Sequence, residues 1–253
     1  MTTLSDPVLI IFGTFILHQV IFWIHNAILL LFTYVIYPDR SKKYKIQKDV
    51  YVDWKSIKEC TKTVIINQIF VLFPALVITC PLFMHLNIRW HIPIPPWYRI
   101  LFELFCFLGV TEIFFYYSHL ALHFSSVYEY IHKKHHRFRA PIGMAAEYAH
   151  PIEFIVSNIT PVIAGPLLFQ SHLLTTWLWL VIALTGTVNH HSGYKLPGIF
   201  GSGLSNPAFH DFHHAKFTNN FGLLGILDRV HGTDTAWQAK KAKQYQQGKK
   251  KEK

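Results

Sequence analysis

Thiols, charge and strand-like alternation are all scarce in this sequence, and each shortage removes a class of protein. Its 253 residues include three cysteines, Cys60, Cys80 and Cys106, in or beside apolar stretches and at no disulfide or ligand spacing. Neither a disulfide framework nor a thiolate metal site follows from them. Charged residues make up 15% of the chain and hydrophobic ones 51%, where a soluble domain carries about 25% charge. No segment alternates apolar and polar residues over strand lengths, which argues against a transmembrane β-barrel. A GxGxxG fingerprint is absent, as is the HPGG signature of a fused haem domain, so electrons for any redox chemistry come from outside the chain.

What is present begins with long apolar runs. A hydrocarbon core takes about 20 apolar residues per helix. Pro7–Tyr37 exceeds that length, broken by His18, Gln19, His25 and Asn26, and reads as one long helix or a tight hairpin. His18 and His25, seven apart, share a face that turns towards other helices rather than lipid. Thr63–His85 is a second span and Tyr98–Ser118 a third. Pro151–Val188, interrupted at Gln170–His172, reads as a helical hairpin. The fold expected is all-α and integral to a membrane, with four to five transmembrane helices. The first residues, Met1–Asp6, carry no positive charge, and the run behind them is too long for a signal peptide.

The net charge of +10 is concentrated. Arg40–Lys62 holds eight basic residues and Lys240–Lys253 seven, whereas only Arg89 and Arg99 flank the proline turn Asn87–Trp97. No nucleic-acid-binding fold accompanies these patches. They suit the positive-inside rule instead, with the basic loop cytosolic and the proline turn lumenal. The C-terminus then lies in the cytosol, where Lys250, Lys251, Glu252 and Lys253 match a dilysine retrieval signal. A multi-pass protein of the endoplasmic reticulum membrane is expected. Three stretches are expected along the chain: spans and basic loop over 1–97, a catalytic region over 98–237, and a basic tail over 238–253.

Seventeen histidines occur, and their spacing carries the most information. His119 and His123 form HxxxH; His132, His135 and His136 form HxxHH; His210, His213 and His214 form a second HxxHH. A random HxxHH is expected about 0.08 times in such a chain, and two about 0.003 times. Residues at i, i+3 and i+4 share a helix face, so each box can aim its imidazoles at one point. Any one of these could be an ordinary core histidine. Eight converging imidazoles exceed what one ion accepts, which implies two metals at the cytosolic face. Imidazole suits zinc, copper, iron and nickel alike.

These boxes, in this order around a membrane hairpin, resemble the fatty acid hydroxylase/sterol desaturase superfamily. The strings HKKHHRFRAPIGMAAEYAHPIE (His132–Glu153), HSGYKLP (His191–Pro197) and HDFHHAKFTNNFGLLGILDRVHGTDT (His210–Thr235) are similar to C-4 methylsterol monooxygenases and to fatty acid hydroxylase domain-containing 2 proteins, with a weaker echo at YKIQ (Tyr44–Gln47). The resemblance implies a di-iron centre, O₂ as co-substrate, and electrons from cytochrome b5 or an NAD(P)H-dependent reductase. It implies metal ligation by His119, His123, His132, His135, His136, His210, His213 and His214, and adds His191 and His150. No catalytic residue beyond these ligands is implied. His85, His91, His172 and His190 are expected to be incidental, and His231 a cap near Asp234.

A ligating histidine commonly gives its other N–H to a carboxylate or carbonyl. Asp211, Glu147, Glu153, Glu112 and Asp228 are the candidates, in that order of expectation. The basic surface around Lys133, Lys134, Arg137 and Arg139 could dock an acidic electron donor or contact phospholipid headgroups. Three functions are compatible with the boxes. The first is oxidation of a sterol C-4 methyl. The second is hydroxylation or desaturation of a fatty acyl, sphingolipid or other sterol carbon. The third is non-catalytic metal binding that regulates lipid metabolism, against which the intact boxes argue.

Overall fold

The computed structural model describes residues 5–86, 93–197 and 206–251. The first part of the proline turn, with Arg89, Trp90 and His91, and the last two residues of the KKEK tail lie outside the described residues. Among the described residues the regular elements are helical, apart from one isolated antiparallel bridge between Lys45 and Tyr194.

Five helices are long and apolar enough to cross a membrane: α1 (Asp6–Ile36), α2 (Trp54–His85), α3 (Trp97–Leu122), α4 (Pro151–Leu168) and α5 (Leu173–His190). The first run is one continuous helix rather than a hairpin. It exposes Ile16, Val20, Ile24, Ile28, Leu31 and Val35 along one face and buries His18, Phe22, His25, Asn26, Leu29 and Thr33 on the other. That split is the reverse of a water-facing helix. The polar side chains turn inward and the apolar stripe outward, as a bilayer requires.

Local chemistry sets the helix ends. α2 starts at Trp54 rather than Thr63, because Asp53 Oδ1 accepts from Ser56 N at 2.8 Å and caps the helix. Its first turns stay amphipathic, with Ile57, Cys60 and Val64 buried while Lys55, Lys58 and Lys62 are exposed. α3 starts after Pro95 and Pro96, and α4 has Pro151 in its first turn, where a missing N–H costs nothing. The expected hairpin is α4 and α5, separated at Gln170–His172. α4 packs closely on α3: a Cβ on Gly165 would meet the Phe107 side chain at 2.7 Å.

Outside the spans lie α6 (Pro207–Lys216), α7 (Ile226–His231) and α8 (Thr235–Lys251). Asn206 Oδ1 caps α6 by accepting from Phe209 N at 3.2 Å, and a left-handed Phe217 (φ 65°) ends it. The segment between α3 and α4 is held from below by a buried cluster. Phe138, Ile142, Met144, Ala145 and Tyr148 pack on Phe22 and Leu29 of α1, Ile57, Cys60 and Val64 of α2, and Val188 of α5. The lone bridge ties the basic loop to the HSGY segment: Ile46 N donates to Gly193 O at 3.1 Å and Lys195 N to Tyr44 O at 2.8 Å. Gly193 is required there, with φ 73° and no room for a Cβ, which would meet Pro141 O at 2.5 Å.

Candidate metal centre

The three boxes converge. His119 lies in the last turn of α3, with His123 as its C-cap. His210, His213 and His214 lie on α6, and His191 caps α5. The middle box is a 3₁₀ turn, His132–Arg137, rather than an α-helix. Its three histidines are nevertheless buried and inward-facing.

Together these side chains make two clusters. One comprises His119, His123, His132, His136 and His213; the other His135, His191, His210 and His214. Within each, one nitrogen per ring lies within 4.8 Å of all the others. The boxes are interleaved: the second sends His132 and His136 to the first cluster and His135 to the other, and the third sends His213 to the first and His210 and His214 to the other. In the first cluster His136 Nε2 lies 3.2 Å from His123 Nε2, 3.0 Å from His132 Nε2 and 3.1 Å from His213 Nε2. In the second, His210 Nε2 lies 2.9 Å from His191 Nε2 and 3.2 Å from His214 Nε2.

The outer nitrogens fix the tautomers. Nδ1 of His119 is 2.7 Å from Phe221 O, that of His213 2.7 Å from Asn219 O, that of His191 2.9 Å from Thr187 O, and that of His135 3.3 Å from Tyr148 O. A carbonyl oxygen only accepts, so the ring proton is on Nδ1 and each Nε2 presents a lone pair. His132 Nδ1 also lies 2.9 Å from Glu153 Oε1. His135 Nε2 and His191 Nε2, 3.3 Å apart, therefore meet lone pair to lone pair.

Protons do not relieve this. Burial, followed by the neighbouring imidazoles, holds His132, His136, His210, His213 and His214 well below the usual histidine range, and burial holds His135 at about 4. A metal cation does relieve it. Metal–nitrogen bonds of about 2.0–2.1 Å put neighbouring ligand atoms about 3.0–3.4 Å apart, which is the spacing found. An all-imidazole donor set fits a late first-row ion, iron among them.

The surrounding carboxylates divide the work differently from the sequence-based order. Glu153, not Asp211, touches a box histidine. Asp211 points away, and its Oδ1 accepts from Gln47 Nε2 at 3.0 Å; burial raises its carboxyl to about 6. Gln47 belongs to the YKIQ segment and also donates to Arg139 O, so it braces α6 against the chain leaving the second box. Glu112, on α3, accepts from the backbone N–H groups of Leu223 and Leu224 at 2.8 Å each, Ile226 at 3.1 Å and Leu227 at 3.3 Å. Asp228 accepts from Phe221 N and Gly222 N at 2.7 Å each. These two acids hold the loop whose Phe221 carbonyl orients His119. No sequence motif announces that role.

Other histidines stay outside both clusters. His150 is the N-cap of α4, with Nδ1 accepting from Ile152 N at 3.2 Å. Replacing it by alanine is expected to cost about 1 kcal/mol of stability, as for a lost cap, and to leave metal content unchanged on elemental analysis. A lost metal equivalent would return His150 to the ligand set. His190 Nε2 accepts from Asn206 N at 3.0 Å, and His172 Nδ1 caps α5 through Leu174 N at 3.1 Å. His231 does not cap near Asp234. It stacks on Tyr116 at 5.3 Å, and its Nε2 lies 3.0 Å from Tyr117 OH.

A cavity of about 160 Å³ leads from the clusters into the spans. His119, His132, His135, His191 and His210 line one part, and Leu72, Leu76, Leu108, Phe154, Val162, Trp179 and Leu184 much of the rest. Such a lining suits an apolar molecule.

Comparison with known proteins agrees with this picture. The fatty acid hydroxylase family model matches residues 104–233. The chain is 41% identical over 223 residues to human fatty acid hydroxylase domain-containing protein 2, covering 87% of this chain and 66% of that protein. It thus spans just under two thirds of that relative's length. It is 33% identical over 248 residues to chicken methylsterol monooxygenase 1, covering 93% and 80% respectively. A very-long-chain aldehyde decarbonylase of rice (Oryza sativa subsp. indica) is 32% identical over 243 residues, covering 93% and 90%. No solved structure matches the chain.

Proposed function

The chain belongs to the fatty acid hydroxylase family, and from that premise we propose that it is a membrane-bound di-iron monooxygenase oxidising the C-4 methyl of a sterol. The observation that carries the reading is the pair of histidine clusters, each with one nitrogen per ring converging, at one end of an apolar cavity between membrane helices. The ligands of one iron would be His119, His123, His132, His136 and His213, and those of the other His135, His191, His210 and His214. Bound iron supplies the activation of O₂ that no amino-acid side chain provides. The protein's own residues do the rest. Backbone carbonyls hold the ring protons of His119, His135, His191 and His213 on Nδ1, and the apolar walls orient the lipid and exclude water. Catalysis would be confined to 98–237, with 1–97 completing the cavity.

Electrons are proposed to come from cytochrome b5 or its reductase. Lys133, Arg137 and Arg139 are exposed beside the buried second box, which supports docking of an acidic donor on that face. The charge asymmetry supports a cytosolic position for this face, in the endoplasmic reticulum membrane.

Two measurements test the proposal. Elemental analysis of protein from iron-replete cells is expected to give about two irons per chain; one metal per chain, or zinc without iron-dependent turnover, overturns the di-iron reading. Lipid profiles of cells lacking the protein are expected to accumulate 4-methylsterols. Altered hydroxy-acyl lipids or long-chain aldehydes with unchanged 4-methylsterols would reassign the substrate. The rice relative's name makes the aldehyde the alternative to watch.

A further inference from the structure

The cavity wall carries a second polar feature, set apart from the histidine clusters. His18 of α1 and Glu147, at the end of the turn Gly143–Glu147, both line the cavity, and His18 Nε2 lies 2.9 Å from Glu147 Oε1. Glu147 Oε2 accepts from Gln68 Nε2 of α2 at 2.7 Å, and Gln68 Oε1 in turn accepts from Trp23 Nε1 at 2.9 Å. His18, Glu147 and Gln68 are 5%, 3% and 1% exposed. The backbone beneath is pinned as well, with Asn67 Nδ2 donating to Glu147 O at 3.0 Å and to Ala149 O at 3.1 Å.

A carboxylate offers about four acceptor sites, and each oxygen of Glu147 meets one donor in this network. Its remaining acceptor capacity faces a cavity lined mainly by apolar side chains. An ionisable pair buried among membrane helices costs stability unless its groups are paired, and is a functional-site hypothesis by default. The pair is also close to the metal centre: Tyr148, the next residue, gives the carbonyl that orients His135.

We propose that His18 and Glu147 form a subsite for the hydroxyl group of an otherwise apolar lipid, the hydroxyl donating to Glu147 so that a methyl on the carbon beside it faces the His135 cluster. The proposal rests on the reading of the cavity as a lipid site and narrows it. An unsubstituted acyl methylene has no donor for this carboxylate. A cyclic lipid alcohol oxidised at a methyl on the carbon next to its hydroxyl, as at the C-4 methyl of a 3-hydroxysterol, has one in the right place. Gln68 and Trp23 are positioning residues, acting through the Glu147 carboxylate.

The test uses the full-length protein in nanodiscs and two matched probe pairs. One pair is a 4,4-dimethyl-3-hydroxysterol and its 3-deoxy analogue; the other is a long-chain 2-alkanol and the corresponding alkane. Dissociation constants and iron content are measured for wild type, Glu147→Gln and His18→Leu. Wild type should bind the hydroxylated member of at least one pair about 10- to 100-fold more tightly, the range of a hydrogen bond to a charged group. Both variants should reduce the preference to within about 3-fold, with iron content and affinity for the deoxy probe unchanged. If Glu147→Gln perturbs folding, His18→Leu carries the same readout. A preference confined to the alkanol pair and lost in the variants supports the subsite while removing the sterol reading. Equal binding of both members of each pair by wild type, or an undiminished preference in the variants, overturns the subsite even if sterol is oxidised.

Discussion

Turnover of the His136→Ala protein is expected to fall by more than about 100-fold, with iron content dropping from about two to about one per chain. His136 is the hub of its cluster. Its Nε2 lies within 3.2 Å of the Nε2 atoms of His123, His132 and His213. Losing a residue that merely supports a ligand costs about 10- to 100-fold in metal affinity or activity, so losing a ligand costs at least that. The control is His172→Ala, which removes only a helix cap and should keep most of the activity at a stability cost of about 0.5–2 kcal/mol. Turnover measured beside iron content separates the two. Equal tolerance at His136 and His172 would remove the site assignment.

Glu112 is expected to give the largest effect of any residue that is not a proposed ligand. Replacing it by alanine leaves the N–H groups of Leu223, Leu224, Ile226 and Leu227 without their acceptor. Each N–H left buried and unpaired costs about 1–3 kcal/mol. Partial rehydration of the loop limits the total, and about 3–5 kcal/mol of lost stability is expected, close to the cost of breaking a buried charged contact. Damage should be selective for one metal. The loop carries the Phe221 and Asn219 carbonyls that orient His119 and His213, both in the five-histidine cluster, so one iron should be lost and the other kept. Glu112→Gln, which keeps the shape and one acceptor oxygen, should be milder on both counts. Thermal melts in nanodiscs with metal analysis decide it; full iron content and an unchanged melting temperature in Glu112→Ala would refute the role.

The two kinds of result differ in how far the sequence announces them. Box spacing announces that histidines converge, because any local turn that keeps i and i+4 on one side brings them together. The middle box does so on a 3₁₀ turn instead of the expected α-helix. Apolar length announces the five spans but misplaces the start of α2, since its first turns are amphipathic and their signal is a cap at Asp53 rather than hydrophobicity. Spacing is silent on which cluster each histidine joins, because that depends on how the second box, α6 and the end of α5 are set against one another. The ranking of acids fails for a related reason. Asp211 adjoins His210 in sequence yet turns to the side of its helix that meets Gln47, whereas Glu153 approaches His132 from a different segment. The YKIQ resemblance has a physical meaning that sequence does not disclose: the segment pairs with HSGY and braces α6 through Gln47.

The lengths of α1 and α2 set the depth of the whole centre. They contain 31 and 32 residues, about 46–48 Å at 1.5 Å per residue, against a hydrocarbon thickness of about 30 Å. Tilt can absorb surplus length in general. In α2, however, the first turns carry Lys55, Lys58 and Lys62 on their exposed side, and those ammonium groups belong among phosphates rather than acyl chains. This end of the helix therefore stands proud of the hydrocarbon. Arg137, next to His136, forms an ion pair with Glu59 in the same turns, which ties the second histidine box to that end of α2. Under the proposed function, a lipid substrate would then rise partly out of the acyl layer to react. Each square ångström of apolar surface lifted clear costs about 25 cal/mol unless it is covered again, and the leucine- and phenylalanine-lined passage between the spans is the cover that makes the ascent affordable.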